Sequence, residues 1–402
     1  MSTRTINRVA GRGDGITGDG RHVPFTAPGD RLADDGSISR GPHYNSPPCK
    51  HYPTCGGCQL QHLDDASYAD FVRDRIEHAL MAQGIEIQDI HLNPALLSPS
   101  LTRRRAALKA ERKGREIKLG FLQSGTHNLI DIRSCEVLHP ALTALFKPLK
   151  PLLMTMIRDR RTAEVQLTLV DQGVDVLLND VAAEGLEAAE AISAFCETHK
   201  LARLSIDEGY GLAARWEPEA VTMTLGGVAV GFPQAAFLQA TWAGERALVA
   251  AVAAIVGDAH EVADLFAGLG TFALPLSKTT KVYAAEGARD PILALAAAAN
   301  RAHRPLTSEH RDLFRRPLTP AELARFDAVV LDPPRAGARE QVAELAASAV
   351  PVIAYVSCNP QTFARDAKVL IAGGYRLTTI TPVGQFRWST HVELVGAFTR
   401  AK

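Results

Sequence analysis

The cysteines are the residues with the most evident chemical potential, and six of them occur in the 402 residues. One stands in "AYVSCNPQTFARD", Ala354 to Asp366, where Cys358 follows an apolar run and precedes Asn359-Pro360. A Cys in apolar company is usually an inert core residue. Here the Asn-Pro pair ends the strand, which puts Cys358 at its rim, where a thiolate can act as a nucleophile. Three more lie in "CKHYPTCGGCQLQH" with the spacing C-x5-C-x2-C, as Cys49, Cys55 and Cys58, and Cys135 follows in "LIDIRSCEVLHP". Four thiolates can hold a zinc ion or a [4Fe–4S] cluster, and spacing does not choose between them. The bland alternative is a set of unrelated free thiols. A radical enzyme would want three ligands and an open iron, and Cys135 argues against that. Cys196, in the helical "AISAFCETHK", reads as a helix-face residue without a special role.

A nucleophilic Cys suits one kind of methyl transfer. Carbon 5 of uracil is a poor nucleophile. A thiolate that adds to carbon 6 turns the ring into an enolate, and carbon 5 then attacks a methyl sulfonium. A carboxylate must afterwards remove the carbon-5 proton so that the thiolate can leave. Glu393, in "HVELVGAF", is the candidate base. "DLFAGLGTFALPL" places Gly268 and Gly270 in a turn between a strand and a helix, where the backbone can approach a ligand at the sheet's carboxyl edge. Glu286 ends the next strand, in position to accept from ribose hydroxyls, and Asp312 in "EHRDLF" can reach an adenine amino group. That order fits S-adenosylmethionine in a Rossmann-like methyltransferase. The alternative is that both are solvated loop acids. "LDPPRAG" stiffens a loop with two prolines and presents Asp332 and Arg335. Motifs of the D-P-P type also occur in methyltransferases acting on exocyclic amino groups of bases, which need no cysteine.

These residues require a frame. The length suggests two or three domains, and 46% hydrophobic with 22% charged residues is a globular composition. Formal net charge is zero, so any nucleic-acid attraction must come from a local patch. The N-terminus "MSTRTINRVAGRGDG" has no apolar h-region, and "ALVAAVAAIV" is too short to cross a bilayer and reads as a buried helix. The expected compartment is the cytoplasm, where thiols stay reduced. The chain divides into residues 1–48, rich in Gly, Asp, Arg and Pro; 49–230, mixing strands with helices; and 231–402, where short apolar strands alternate with Ala/Leu-rich helices. That last alternation predicts βαβ units and a parallel, doubly wound sheet. "TRRRAALKAERKGREIK", Thr102 to Lys118, carries eight Lys or Arg and two Glu, either a track for phosphates or a solvated strand pair.

"LDPPRAG", "YVSCNPQTFARD" and "HVELVGAF" closely resemble the RNA (uracil-5-)-methyltransferases that make 5-methyluridine, and the resemblance runs from about Cys49 to the end. It implies an α/β protein whose C-terminal part is a Rossmann-like class I methyltransferase domain, beside a central α+β iron–sulfur-bearing domain. It makes Cys358 the nucleophile and Glu393 the base. Gln239, in "GFPQAAFLQAT", matches the family's F-x-Q element. Phe266, Thr271, Glu286, Asp312 and Asp332 fall at its other donor-binding places, with Thr271 where Asn is common. Thr241 departs from an Asn usual after that Gln. The resemblance chooses a [4Fe–4S] cluster for Cys49, Cys55, Cys58 and Cys135, and favours RNA contact by the Arg-rich segment. Residues 1–48 look like the first half of a TRAM domain, a small RNA-binding β-barrel, so an incomplete module or partly ordered arm is expected. The implied target is 23S rRNA. A tRNA uracil-C5 methyltransferase, an adenine amino methyltransferase and an iron–sulfur RNA-binding protein without catalysis are the rivals. Nothing points to a membrane or to an obligate protein partner.

Overall fold

A computed structural model describes residues 3–400. Residues 1, 2, 401 and 402, the outermost of the first and last expected segments, lie outside the described residues.

The C-terminal sheet carries the site. Five parallel strands run Glu261–Leu265, Lys281–Glu286, Leu306–His310, Ala328–Leu331 and Val352–Ser357, in the spatial order third, second, first, fourth, fifth. Order reverses between the first and fourth strands, which opens a crevice at their carboxyl ends. Val, Ala and Leu dominate four of these strands because both faces are covered, with two apolar clusters on opposite sides, whereas the edge strand Leu306–His310 is polar and largely exposed. Glu393–Arg400 then inserts antiparallel between Val352–Ser357 and Tyr375–Gly384.

Two short strands, His91–Leu92 and Leu96–Leu97, add in parallel to Tyr375–Gly384, and the helix Asp65–Ala82 packs on the helix Pro360–Ala372. Residues 65–97 therefore lean on the C-terminal sheet, although they precede the central one in sequence. That helix starts at Asp64, whose carboxylate caps Ser67, and stops before Gly84 at φ +74°. The central sheet has seven strands between Arg105 and Trp216, with the helices Phe146–Met156 and Gly185–His199 over one face.

The N-terminal segment departs from expectation. It is not an arm: Thr3–Val9, Gly15–Thr17, His22–Val23, Arg31–Ala33 and Ile38–Ser39 form one five-stranded sheet with Ile6, Val23 and Leu32 inside. Three apolar side chains make a small core, and the segment borrows more by docking. His62, 1% exposed, reaches the Thr26 carbonyl oxygen at 3.2 Å. The same loop, 49–63, pairs Cys55 with Gln123 of the central domain and donates Gln59 and Leu60 N–H to the Trp388 carbonyl at 2.8 and 2.9 Å. It thus touches all three sheets. No helix among the described residues is long and apolar enough to cross a membrane.

Candidate active site

Cys358 follows the strand Val352–Ser357, and Asn359 caps the next helix through Gln361 N–H, with Pro360 at the first helical position. The antiparallel ladder ends at the pair Ser357 and Leu394, so Cys358 and Glu393 each lie one residue beyond its last rung. The register thus brings both to the same end of the ladder. Cys358 is partly buried, as a rim position requires. Burial first, then the charges of Glu393 and Asp332, push its thiol up to about 11, while Arg335 opposes them. Glu393 is 3% exposed with Oε2 unpartnered, and burial followed by Asp332 raises its carboxyl well above the usual range.

Asp332 ends the strand Ala328–Leu331. Burial, then Glu286, raise it to about 7. Gln239 Nε2 lies 3.4 Å from Asp332 Oδ2, and Gln385 Nε2 donates to Gln239 Oε1 at 2.8 Å. Thr241 points elsewhere: its hydroxyl caps the helix Trp242–Val256 and meets Ser98 at 2.7 Å. An acid whose folded-state pKa exceeds its unfolded one opposes folding. The penalty is absent below about pH 4 and complete above about 7. Asp332→Asn is therefore expected to stabilise the ligand-free protein at pH 8 by up to about 4 kcal/mol, and hardly at pH 4. Thermal melts at the two pH values check this, and an unchanged Tm at pH 8 counts against it.

The glycine turn follows the first strand. Phe266 takes φ +66°, and Gly268 and Gly270 take +54° and +92°. At φ +92° any other residue would be strained at Gly270, and its Cβ would also displace Leu295 Cδ1, 2.5 Å away. Glu286 holds the turn by accepting Gly268 N–H at 2.9 Å and Ala288 N–H at 2.7 Å. It is a structural acceptor as well as a pocket acid. Asp312 accepts Phe314 N–H at 3.0 Å and pairs with Arg315 at 3.5 Å, so its carboxylate is partly engaged at the rim. Thr271 is half-buried at the end of the turn.

Three neighbours escaped the sequence reading. Asp264 is fully buried with both carboxyl oxygens unpartnered, and burial, then Asp332, raises it well above the usual range. Its signal was an acid one residue before the end of the first strand. Phe314, 41% exposed, tilts against Phe266 at 5.4 Å between centroids and widens the apolar floor beside Asp312. His391 Nδ1 faces Arg335 Nη2 at 3.0 Å. Asp264, Glu286, Asp332 and Glu393 form a set of acids that pair with no cation among the described residues. Such a pocket favours a cationic ligand.

The four cysteines Cys49, Cys55, Cys58 and Cys135 line one cavity of about 260 Å³. Burial raises the thiols of Cys55, Cys58 and Cys135, and neighbouring cysteines, Cys49 in all three cases, raise them further. Among the described residues, no three His, Cys, Asp or Glu side chains converge tightly enough for a single metal ion.

The basic segment needs correction. Arg104 is fully buried, pairs with Glu245 and donates Nε to the Gln239 carbonyl at 3.0 Å. Arg105 donates to the Leu238 carbonyl at 2.8 Å, and Arg112 to those of Met154 and Ile157 at 2.8 Å. A guanidinium with five donors is well suited to such carbonyl clusters, so these three arginines brace the fold rather than face phosphates.

Comparison with known proteins agrees with this geometry. Residues 228–401 match the family profile described as tRNA (Uracil-5-)-methyltransferase. An RNA methyltransferase of Zymomonas mobilis is 50% identical over 397 residues, covering 99% of this chain and 100% of that protein. The 23S rRNA (uracil(1939)-C(5))-methyltransferase RlmD of Edwardsiella ictaluri is 34% identical over 90% of this chain and 84% of its own. The chain belongs to the RNA (uracil-5-)-methyltransferase family. This S-adenosylmethionine-dependent RNA uracil-C5 methyltransferase also shares its fold with the tRNA (uracil-54, C5)-methyltransferase of Pyrococcus abyssi, solved with S-adenosyl-L-homocysteine. The TM-score is 0.74 at 24% identity, over 98% of this chain and 99% of the other.

Proposed function

We propose that this methyltransferase forms 5-methyluridine through a covalent adduct on Cys358. The observation that supports the reading is the ladder end at Ser357 and Leu394, which leaves Cys358 and Glu393 as the next residues of their strands, with Glu393 and Asp332 both acting on the thiol. The Cys358 thiolate forms a bond to uracil C6, and the C5–C6 π electrons move to the C4 carbonyl as an enolate. C5 then takes the methyl group, and the sulfonium bond breaks to leave a neutral thioether. Glu393 removes the C5 proton. Those electrons restore the double bond and expel the thiolate.

The donor supplies the charge that the pocket lacks. Its sulfonium and ammonium groups offset part of the charge of the four acids, which favours ionised Glu393 in the loaded site. Gln239, Phe266, Thr271, Glu286, Asp312 and Asp332 bind this donor in our reading, joined by Asp264 and Phe314. Once the methyl leaves, the sulfonium charge is gone and the acids hold the product less firmly. Tritium release from RNA carrying 5-tritiated uracil tests the reaction. Methylation without tritium release would point to an amino group and to the D-P-P rival.

We assign 23S rRNA as the target, supported by RlmD at 34% identity over most of both chains. Mapping 5-methyluridine in cells without this gene tests it, and loss confined to tRNA would select the tRNA alternative. The division into residues 1–48, 49–230 and 231–402, as TRAM-like, iron–sulfur-bearing and methyltransferase domains, is part of this proposal, as is a cytoplasmic location.

The four thiols fit a [4Fe–4S] cluster. Four thiolates could also hold a zinc ion, and the family resemblance is what favours the cluster. A cluster spreads its ligands around a larger core, and one cavity lined by four cysteines suits it. The group would brace the loop 49–63, where the three sheets meet. Protein purified without oxygen is expected to be brown with about four irons per chain. Stoichiometric zinc instead would reject the cluster.

A further inference from the structure

Three consecutive arginines, Arg103, Arg104 and Arg105, enter the central sheet. Two of them have partners on the methyltransferase side, as described above. Arg103 differs. Its side chain lines the cysteine cavity, and its Nε donates to the Arg105 carbonyl at 3.0 Å. It pairs with no carboxylate among the described residues. Its backbone is tied to the turn after Cys135: Arg103 N–H donates to Val137 at 3.0 Å, and His139 N–H donates to Arg103 at 2.8 Å. The guanidinium lies 5.4 Å from the Phe386 ring centroid, which holds it in place from the far side.

A partly buried cation without a counter-charge is unfavourable. The cavity that Arg103 lines is also lined by Cys49, Cys55, Cys58 and Cys135. Four thiolates around a [4Fe–4S] core leave a net charge of roughly −2. Among the residues lining that cavity, Arg103 is the one Lys or Arg.

We propose that Arg103 is the built-in counter-cation of the four-cysteine site, a positioning residue that sets the site's hold on its metal and its reduction potential. This rests on the reading of the four thiols as metal ligands. Reduction adds one negative charge, so a fixed cation favours the reduced form and retards metal loss.

The test compares wild type, Arg103→Met and Arg103→Lys, each full length and reconstituted without oxygen. Iron and zinc content of the wild type tests the underlying reading by itself. In the iron-loaded proteins, redox titration followed by electron paramagnetic resonance is expected to give a more negative potential for Arg103→Met. Chelator is expected to bleach its visible band several-fold faster. Arg103→Lys, which keeps the charge and loses the planar fork, is expected to stay near wild type in both. Equal potentials and equal bleaching rates in wild type and Arg103→Met overturn the proposal. So does an equal defect in Arg103→Lys and Arg103→Met, because that would mean shape, not charge, matters. Should the wild type load zinc, the cluster reading fails. Arg103 is then tested by zinc release to chelator, with faster release from Arg103→Met than from Arg103→Lys as the expected result and equal rates as the refutation.

Discussion

Cys358→Ser is expected to lower methyl transfer to RNA by at least about 10³-fold while leaving donor binding intact. The hydroxyl is close in size to the thiol, so the strand end and the Asn359 cap should survive. It cannot supply the soft anion that adds to C6. Methyl incorporation into a uridine-containing RNA measures the loss, and titration with S-adenosylhomocysteine measures the binding. Methylation at the wild-type rate would reject the covalent path. The thiol has a signature of its own. Raised to about 11 by burial and two acids, it is mostly protonated at neutral pH in the free enzyme. Alkylation of Cys358 should therefore quicken roughly tenfold per pH unit from 7 towards 10, and Glu393→Gln should move that curve to lower pH by removing one of the acids.

Glu393→Gln is the second large effect. The amide keeps the volume and cannot accept the C5 proton. The first two steps remain possible: C–S bond formation and methyl transfer. The third is blocked, so the methylated RNA should stay attached through Cys358. A denaturing gel is expected to show a shifted protein–RNA band carrying at most one methyl group per chain, with turnover down by about 10²–10⁴. A variant that turns over slowly and never shows the band would assign proton removal to another group. Asp332, raised to about 7 and in the electrostatic neighbourhood of both residues, is then the first alternative.

Much of this site was legible because its chemistry sits at strand ends. Cys358, Glu286 and Asp332 each end or follow an apolar run that reads as a strand, and parallel order then gathers those ends at one edge, whereas Asp312 follows the polar LTSEH and was placed only by its order after Glu286. Glu393 is different. Its residue type suggested a base, but only the ladder of Glu393–Arg400 against Val352–Ser357 brings it to the ladder end beside Cys358, and pairing partners cannot be read from a single strand. Asp264 was missed because an acid inside an apolar strand resembles a solvated terminus until its burial is known. The basic run misled for a related reason. Composition counts charges without saying where they point, and Arg104, Arg105 and Arg112 turn inward to carbonyls and an acid. The N-terminal segment was underestimated because it was weighed alone, whereas His62 of the cysteine loop gives it a surface to dock on.

The insertion of Glu393–Arg400 between two strands of the sheet makes the enzyme unusually sensitive to the length of one turn. Side chains alternate faces along a strand, so sliding this ribbon by a single residue would keep its backbone pairing and turn Glu393 away from the crevice. The segment Gln385–Val392 that leads into it is the spacer that fixes that phase. Gene variants one codon shorter or longer there would strain the turn or slide the ribbon, which repacks a strand buried on both faces and leaves the thiol without a proton acceptor in reach. Drift in this enzyme can therefore change the letters of that spacer far more freely than their number.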